Sequence, residues 1–325
     1  MHRASRIEKT MPDTNPQTMA CMEVWGGNVS ANNSVAMSGL DAWVYSKPFA
    51  MAQGGGDVYY VSSCATGRIT RLLVADVSGH GEQVRQTANV LRDLMRRFVN
   101  HLDQRQFVRS MNQQFTQLSD AGCFATAVVT TFFGPTNYLT ICNAGHPTPL
   151  IYRAGKRQWT LLERGESSSD AVADIPLGID DMCDYEQMSM QLDVGDLVIC
   201  YSDSLMESKD ADGQMLGEQG LLAITNEIDV SDPAKVVTNL IEAIARRAPG
   251  NLEADDVTIL LFHPNGSGTR VSFRHKLAAP FRVCAGMLRS ILPGGGPAPL
   301  PDLSIANIGG AMFDGLNRRC GRRNA

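Results

Sequence analysis

Five aspartates stand where apolar runs of the chain meet short polar segments. They are Asp57, Asp76, Asp203, Asp255 and Asp256. Each begins or follows a run with the length and apolar content of a buried strand. Carboxylates at neighbouring strand ends repel one another and lose hydration, which is costly unless a cation binds between them. If these strand ends converge, the pattern predicts a cation site.

The chemistry of the side chains indicates which cation would bind. Carboxylates and backbone carbonyls are hard oxygen ligands that suit Mg²⁺ or Mn²⁺, whereas zinc would favour His or Cys. Two such ions about 3.5–4 Å apart can bind a phosphoryl group and lower the pKa of a shared water. Any one of these aspartates alone would be explained as a turn or cap residue. Their joint pattern favours metal-assisted hydrolysis of a phosphoester.

Apolar runs predict the elements that must position these aspartates. The predicted strands are Met22–Trp25, Ala42–Tyr45, Val58–Cys64, Ile69–Ala75, Phe124–Phe133, Tyr138–Asn143, Leu150–Arg153, Trp159–Leu162, Met188–Leu192, Leu197–Ser202 and Val257–Phe262. Helical spacing predicts two helices between Val84 and Leu118, and Ser231-Asp232-Pro233 is typical of a helix start. Strands and helices come in blocks rather than in regular alternation. The order therefore predicts an α+β architecture with antiparallel sheets and helices outside.

A series of motifs in the same part of the chain resembles one known family. The motifs are GGGDVYY, DVSGHGE, FATAVVTTFF, NAGHPTPLIYR, PLGI, GDLVICYSDSLMES and ADDVTILLF. In this order and spacing they resemble the metal-dependent serine/threonine protein phosphatases, the PPM superfamily, and within it the bacterial SpoIIE/RsbU-like branch. The resemblance extends from about Gly55 to Phe262, some two thirds of the chain.

The resemblance implies both a fold and a metal site. The implied fold is a four-layer αββα sandwich of two antiparallel sheets flanked by helices, with two Mn²⁺ or Mg²⁺ ions bound at one end. The catalytic residues that it implies are the metal-binding aspartates Asp57, Asp76, Asp203 and Asp255, and the Val77 carbonyl is an additional metal ligand.

Three residues beside these ligands are predicted to lie near the metals. Asp256 is expected either to contact the ligands or to approach an outer metal. His80 follows a glycine in a tight turn, where a hydrogen bond within its own loop is favoured over a catalytic role. Ser204 stands where the family usually has glycine, so its side chain is expected at the metal rim or against substrate.

The function implied by the resemblance is hydrolysis of phosphoserine or phosphothreonine on a signalling protein. In this branch the usual substrate is a phosphorylated protein of the anti-sigma-factor-antagonist type, and water activated by the metals attacks phosphorus directly. The alternative is a catalytically weak scaffold of the same fold that binds a phosphoprotein regulator, for which Ser204 is the only support. A phosphoesterase acting on small molecules is a third, weaker alternative.

Charged residues are unevenly distributed along the chain. Residues 266–325 contain nine Lys or Arg against two acids, whereas the first 265 residues contain 20 bases and 32 acids. Such an acidic body argues against a nucleic-acid partner, which would require a basic surface. We predict a disordered arm over residues 1–20, a phosphatase domain over 21–265 and a basic, poorly ordered tail over 266–325. Pro280 and Gly286 weaken the tail as a membrane-binding or partner-binding helix.

Cysteine usage predicts a reducing compartment. The eight cysteines are widely separated and form no C-x-x-C pair, which excludes a zinc ribbon. Most lie in apolar runs, where a reduced thiol behaves as a small hydrophobic group. The N-terminal residues lack the apolar core of a secretory signal, and no apolar run reaches the length of a membrane span. A cytoplasmic location is therefore expected, and the oligomeric state is left open.

Overall fold

The computed structural model describes residues 17–18, 24–52, 54–63, 67–79, 82–98, 101, 103–119, 122–162 and 175–267. Its strands are β1 (Gln17–Thr18), β2 (Val24–Gly27), β3 (Ala31–Met37), β4 (Leu40–Lys47), β5 (Asp57–Ser63), β6 (Ile69–Val77), β7 (Ala125–Phe133), β8 (Tyr138–Ala144), β9 (Leu150–Arg153), β10 (Gln158–Leu161), β11 (Gln187–Gln191), β12 (Leu197–Tyr201) and β13 (Val257–Pro264). Its α-helices are α1 (Glu82–Arg97), α2 (Gln104–Leu118), α3 (Ser204–Glu207), α4 (Gly217–Asn226) and α5 (Pro233–Ala245).

The described strands form two sheets. Sheet A has seven strands in the order β1-β3-β4-β13-β12-β9-β10, and sheet B has six in the order β11-β8-β7-β6-β5-β2. Neighbouring strands are antiparallel throughout both sheets, except for the short parallel pair β1 and β3. This arrangement confirms the predicted α+β class and the two antiparallel sheets.

Three apolar clusters separate four layers. Within β6, Leu72 and Val74 face the core between the sheets, whereas Leu73 and Ala75 face α1 and α2. On the outer face of sheet A, residues of β12 and β13 pack against α4 and α5. The αββα sandwich is therefore confirmed. Burial of both faces explains why the central strands are continuous apolar runs rather than alternating ones.

Some elements differ from those predicted. The strand β3 was not predicted because Asn32, Asn33 and Ser34 lack the apolar, β-branched character of a typical strand. The helix α4 was also not predicted, since Gly217 and Gly220 weaken its helical pattern. Within the predicted N-terminal arm, β1 pairs with β3. The rest of that arm lies outside the described residues, as does all of the predicted tail beyond Ser267.

Two further predictions concern compartment and membrane. The four cysteines in the described residues, Cys123, Cys142, Cys183 and Cys200, are buried free thiols. Within the described ranges, no helix combines the length and the apolar character needed to cross a bilayer.

A buried aspartate anchors the start of β12. The Asp196 side chain is 1% exposed and accepts hydrogen bonds from Arg153 Nη1 at 2.7 Å, from the Ala154 amide at 2.9 Å and from the Asp193 amide at 3.0 Å. These contacts fasten the end of β9 to the turn before β12. The anchor lies at the opposite end of β12 from Asp203.

We expect Asp196→Ala to lower the free energy of unfolding by about 2–4 kcal/mol, because it removes the acceptor of two backbone N–H groups and the carboxylate partner of Arg153, which keeps the Gln191 carbonyl as an acceptor. Urea denaturation measures the effect. The exposed Asp193→Ala in the same turn is the matched control and is expected to change stability by less than about 0.5 kcal/mol. Equal losses in the two variants would contradict the assigned role of Asp196.

Candidate metal centre

Sheet B places two of the predicted ligands side by side. In the register of β5 and β6, Asp57 is directly opposite Asp76, and Asp76 is in turn opposite Thr126 of β7. Asp57 and Asp76 alternate with residues whose side chains face the helices, so both carboxylates point between the sheets. The Asp57 residue is 4% exposed. Two like charges therefore lie on neighbouring strands at the edge of the inter-sheet core.

Sheet A brings the other aspartates to the same end of the sandwich. Asp203 follows β12 and precedes α3, while Asp255 and Asp256 precede β13. Because β12 and β13 pair in antiparallel fashion, the end of one strand lies beside the start of the other. The Asp256 amide donates to Asp255 Oδ1 at 2.7 Å. The five predicted aspartates thus gather where the two sheets meet.

The carboxylates of the two sheets repel one another. Burial, followed by repulsion from Asp203, Asp255 and Asp256, raises the pKa of Asp76 to about 6. Burial and repulsion from Asp255 likewise raise the pKa of Asp203, although backbone hydrogen bonds offset part of this. Each carboxylate makes ionisation of its neighbours less favourable. The arrangement has the negative field that attracts a multivalent cation.

Asp57 is the most buried of the five aspartates. Burial raises its pKa well above the usual range, and repulsion from Asp76 and Asp256 adds to the effect. The hydroxyls of Ser202 and Thr258 act in the opposite direction by favouring the ionised form. Asp57 Oδ2 is buried without a hydrogen-bond partner among the described residues. A buried carboxylate oxygen with no donor is suited to bind a cation.

Asp256 contacts the backbone of the segment that leads to Asp57. Its Oδ1 accepts a hydrogen bond from the Phe49 amide at 2.5 Å, and its Oδ2 accepts from the amides of Gly56 and Asp57, the latter at 3.2 Å. The residue is 8% exposed. Asp256 therefore holds the backbone of a predicted ligand and does so from a position about 200 residues further along the chain.

The glycines before Asp57 make this approach possible. A Cβ at Gly55 would overlap the Asp256 carboxylate. At Gly56 an added Cβ would lie 3.0 Å from Asp76 Oδ1 and 3.3 Å from the Val77 carbonyl oxygen. Two predicted ligand oxygens thus converge on the space that the missing side chain leaves open. This convergence places the Val77 carbonyl beside the carboxylates.

The donor set fits Mg²⁺ or Mn²⁺, because carboxylate and carbonyl oxygens are the ligands that these hard cations prefer. Three observations support the fit: the unpartnered Asp57 Oδ2, the space beside Gly56 and the mutual repulsion of the carboxylates. Within the described ranges, no three Asp, Glu, His or Cys side chains meet the geometry of a metal site by themselves. The binuclear site stays a prediction.

The remaining predicted site residues lie in different settings. Ser204 is 6% exposed and its Oγ lies 3.2 Å from Ser202 Oγ, so the hydroxyl is turned inward. His80 lies outside the described residues. Sequence reasoning missed Glu207, whose pKa is raised chiefly by repulsion from Asp203. It also missed Ser202, whose signal is a hydroxyl next to Asp203 at the end of an apolar strand.

His146 of the NAGHP motif is part of the interior. It is 6% exposed, and burial lowers its pKa to about 3. The imidazole is therefore neutral at physiological pH and is not placed to act as a general acid at the protein surface. Its Nδ1 lies 3.0 Å from the hydroxyl of Thr126, the residue opposite Asp76.

The family model for Stage II sporulation protein E (SpoIIE) matches residues 66–265, more than half of the chain. The chain belongs to the SpoIIE family. Phosphoserine phosphatase RsbU of Bacillus subtilis (strain 168) is 24% identical to this SpoIIE-family chain over 156 residues. That match covers 48% of the chain and 44% of the relative. The chain thus matches less than half the length of this curated relative.

Solved structures show the same fold at low sequence identity. The PP2C phosphatase domain of SpoIIE from Bacillus subtilis, solved with a fragment of its regulatory domain, has a TM-score of 0.57 at 19% identity and covers 69% of this chain and 63% of its own. The RsbU and RsbW domains of a Mycobacterium tuberculosis protein also score 0.57 at 19% identity and cover 83% and 71%. RsbX in complex with magnesium scores 0.52 at 14% identity and covers 72% and 100%. The SpoIIE-family chain therefore has the PP2C-type phosphatase fold.

Repulsion within the carboxylate cluster leads to a prediction about the metal-free protein. Burial and the neighbouring carboxylates raise the pKa of Asp76 to about 6, so its ionised form destabilises the metal-free fold at pH 7.5. In the presence of chelator, Asp76→Asn removes this charge and is expected to raise the free energy of unfolding by about 1–3 kcal/mol, because one pKa unit corresponds to about 1.4 kcal/mol. The same variant is expected to lose the stabilisation that Mn²⁺ gives the wild type. Thermal denaturation with and without Mn²⁺ measures both effects. The exposed Asp212→Asn is the control, and a destabilised metal-free Asp76→Asn would contradict the prediction.

The close approach of Gly55 to Asp256 leads to a second prediction. Gly55→Ala is expected to displace the Asp256 carboxylate, to cost about 1–3 kcal/mol of stability and to weaken Mn²⁺ binding about 10-fold. Calorimetric titration with Mn²⁺ measures the affinity. Gly27→Ala is the matched control, because its added Cβ meets no described heavy atom within 4 Å. Unchanged Mn²⁺ affinity in Gly55→Ala would show that this segment does not position a ligand.

Proposed function

We propose that the chain is a Mn²⁺- or Mg²⁺-dependent phosphatase acting on phosphoserine or phosphothreonine in a protein. The observation that carries the proposal is the convergence of aspartates from both sheets at one end of a PP2C-type sandwich. The RsbU relative is a phosphoserine phosphatase, and the structurally similar RsbX binds magnesium. Both support the assignment of this chemistry to the chain.

In this proposal both sheets contribute ligands to the cations. Asp57, Asp76 and the Val77 carbonyl would bind from sheet B, and Asp203 and Asp255 would bind from sheet A. Bound divalent cations supply charge neutralisation for a phosphoryl group and lower the pKa of a coordinated water into the range of a nucleophile. The chain's own contribution is to fix the ligand oxygens, with Asp256 holding the backbone of Asp57.

Neighbouring polar groups favour ionised Asp57, and basic side chains do not neutralise the aspartates in the described part of the chain. The Ser202 and Thr258 hydroxyls favour the ionised form of Asp57, which is the form that binds a cation. Among the described residues, no Arg or Lys forms an ion pair with any of the five aspartates. A cation entering the site therefore need not displace a basic side chain of the described part of the chain.

The substrate class follows from the family rather than from the site. We propose a phosphorylated signalling protein of the anti-sigma-factor-antagonist type, as the resemblance to the SpoIIE/RsbU-like branch implies. The RsbU relative is a phosphoserine phosphatase, which agrees with a phosphorylated serine as the target. The inward orientation of Ser204 gives no structural support to the alternative of a catalytically weak scaffold. That alternative and a phosphoesterase specific for metabolites become outcomes of the test below.

We expect the protein to hydrolyse p-nitrophenyl phosphate with Mn²⁺, to lose this activity in chelator and to regain it when Mn²⁺ is restored. Asp76→Asn and Asp203→Asn should each lower turnover at least about 100-fold, because each removes an electrostatic element of the reaction centre. Asp212→Asn, in an exposed turn, is the control. Undiminished turnover in chelator or in Asp76→Asn would overturn the two-metal proposal.

A second comparison tests the substrate class. Phosphoserine and phosphothreonine peptides are expected to be hydrolysed with a higher kcat/KM than small phosphate metabolites. The reverse order would favour the metabolite phosphoesterase. Calorimetry that detects weak Mn²⁺ binding at one site only, together with no turnover, would favour the scaffold.

A further inference from the structure

The NAGHP motif forms a turn whose backbone is held by its own first residue. After β8, Gly145 adopts a φ of 71°, a left-handed conformation that favours glycine. Asn143 Oδ1 accepts from the His146 amide at 2.8 Å, and Asn143 Nδ2 donates to the His146 carbonyl at 2.7 Å. Both backbone groups of His146 are therefore fixed, and its ring is placed in the interior at 6% exposure.

His146 lies where the chain crosses from sheet B to sheet A, between β8 and β9. On one side its Nδ1 lies 3.0 Å from Thr126 Oγ1 in β7, and Thr126 is the cross-strand neighbour of Asp76. On the other side the chain continues into β9, whose first residue, Leu150, pairs with Ile199 of β12, two residues before Tyr201 at the end of that strand. The other ring nitrogen, Nε2, is buried without a hydrogen-bond partner among the described residues. Asp203 follows Tyr201 by two residues.

Asp76 and Asp203 must keep a fixed spacing if both are to bind the same metal centre. The two aspartates belong to different sheets, which share no ladder of backbone hydrogen bonds. Repulsion between the two carboxylates acts to separate them. A metal centre requires its ligands to be held within about 0.5 Å of their working positions. A turn that is held at Thr126 and leads directly into the strand paired with β12 limits relative movement at this point.

We propose that His146 is a positioning residue that fixes the turn between β8 and β9 to Thr126 in sheet B and, because β9 pairs with β12, so sets the spacing of Asp76 and Asp203. The inference rests on the proposed function, because the consequence of this spacing is metal affinity. A neutral imidazole suits the role, since it adds no charge to compete with a cation. No contact of His146 with substrate is required.

The test measures Mn²⁺ affinity by calorimetry and compares it with kinetics. His146→Phe keeps an aromatic ring of similar size but removes both ring nitrogens. We expect it to weaken Mn²⁺ binding about 10-fold, in line with other residues that orient metal ligands. The KM for Mn²⁺ should rise by a similar factor, whereas kcat at saturating Mn²⁺ should change much less. A purely structural role would lower stability without this split.

Two partial variants and one control sharpen the result. Thr126→Val removes one hydroxyl at nearly constant volume, which makes it the fallback if His146→Phe does not fold. It is expected to weaken Mn²⁺ binding in the same direction. His146→Asn retains a polar atom near the position of Nδ1 and should restore part of the affinity lost in His146→Phe. His263→Phe, which alters a histidine stacked on Trp43 in sheet A, should leave Mn²⁺ affinity unchanged.

The outcomes separate this inference from the proposed function. Mn²⁺ affinities within twofold of wild type in both His146→Phe and Thr126→Val would overturn the role of His146 and leave the phosphatase proposal intact. An equal loss in His263→Phe would also overturn it, because the effect would then reflect general loosening of the sandwich. Wild-type protein that binds no Mn²⁺ would overturn the proposed function and this inference with it.

Discussion

Repulsion among carboxylates carried by two separate sheets is the constraint on which this site depends. Asp57 and Asp76 lie on neighbouring strands of sheet B, while Asp203 and Asp255 lie at the ends of paired strands in sheet A. Asp57 is buried and Asp76 and Asp203 are partly buried, so loss of hydration adds to the repulsion at these three carboxylates. The resulting strain in the metal-free protein is what a bound cation would relieve, and the same strain lowers the stability of the fold.

The scaffold offsets this repulsion with neutral donors. Hydroxyls of Ser202 and Thr258 stabilise the ionised Asp57, and backbone amides donate to Asp256. A buried Arg or Lys would stabilise the carboxylates more strongly, but it would also neutralise the field that attracts a divalent cation. Neutral dipoles therefore lower the cost of burying the aspartates and leave the site negative, which is the combination that a cation site needs.

Sequence alone was informative about the strands that carry the site and less so about what surrounds it. The runs ending at Asp76 and Asp203 were predictable because strands buried on both faces are continuously apolar, and motif order predicted which aspartates would be ligands. In contrast, β3 begins with polar residues and α4 contains two glycines, so local pattern did not indicate either element. The contact between Asp256 and Gly56 joins residues 200 apart, and no local pattern encodes such a distance. The inward position of Ser204 likewise depends on its tertiary partner, Ser202.

The hydrogen bonds of Asp256 give a structural reason for an additional carboxylate at this end of the sandwich. Its two oxygens receive three backbone N–H groups, from Phe49, Gly56 and Asp57. An ionised carboxylate has acceptors only, whereas an amide would direct its own N–H groups towards at least one of these donors. The added repulsion on Asp57 and Asp76 is therefore the cost of an acceptor that can hold the whole segment. The absence of a side chain at Gly55 follows from the same requirement, because the carboxylate occupies the space that a Cβ would need. The acid at 256 and the glycine at 55 thus form one structural unit, although they lie at opposite ends of the domain sequence.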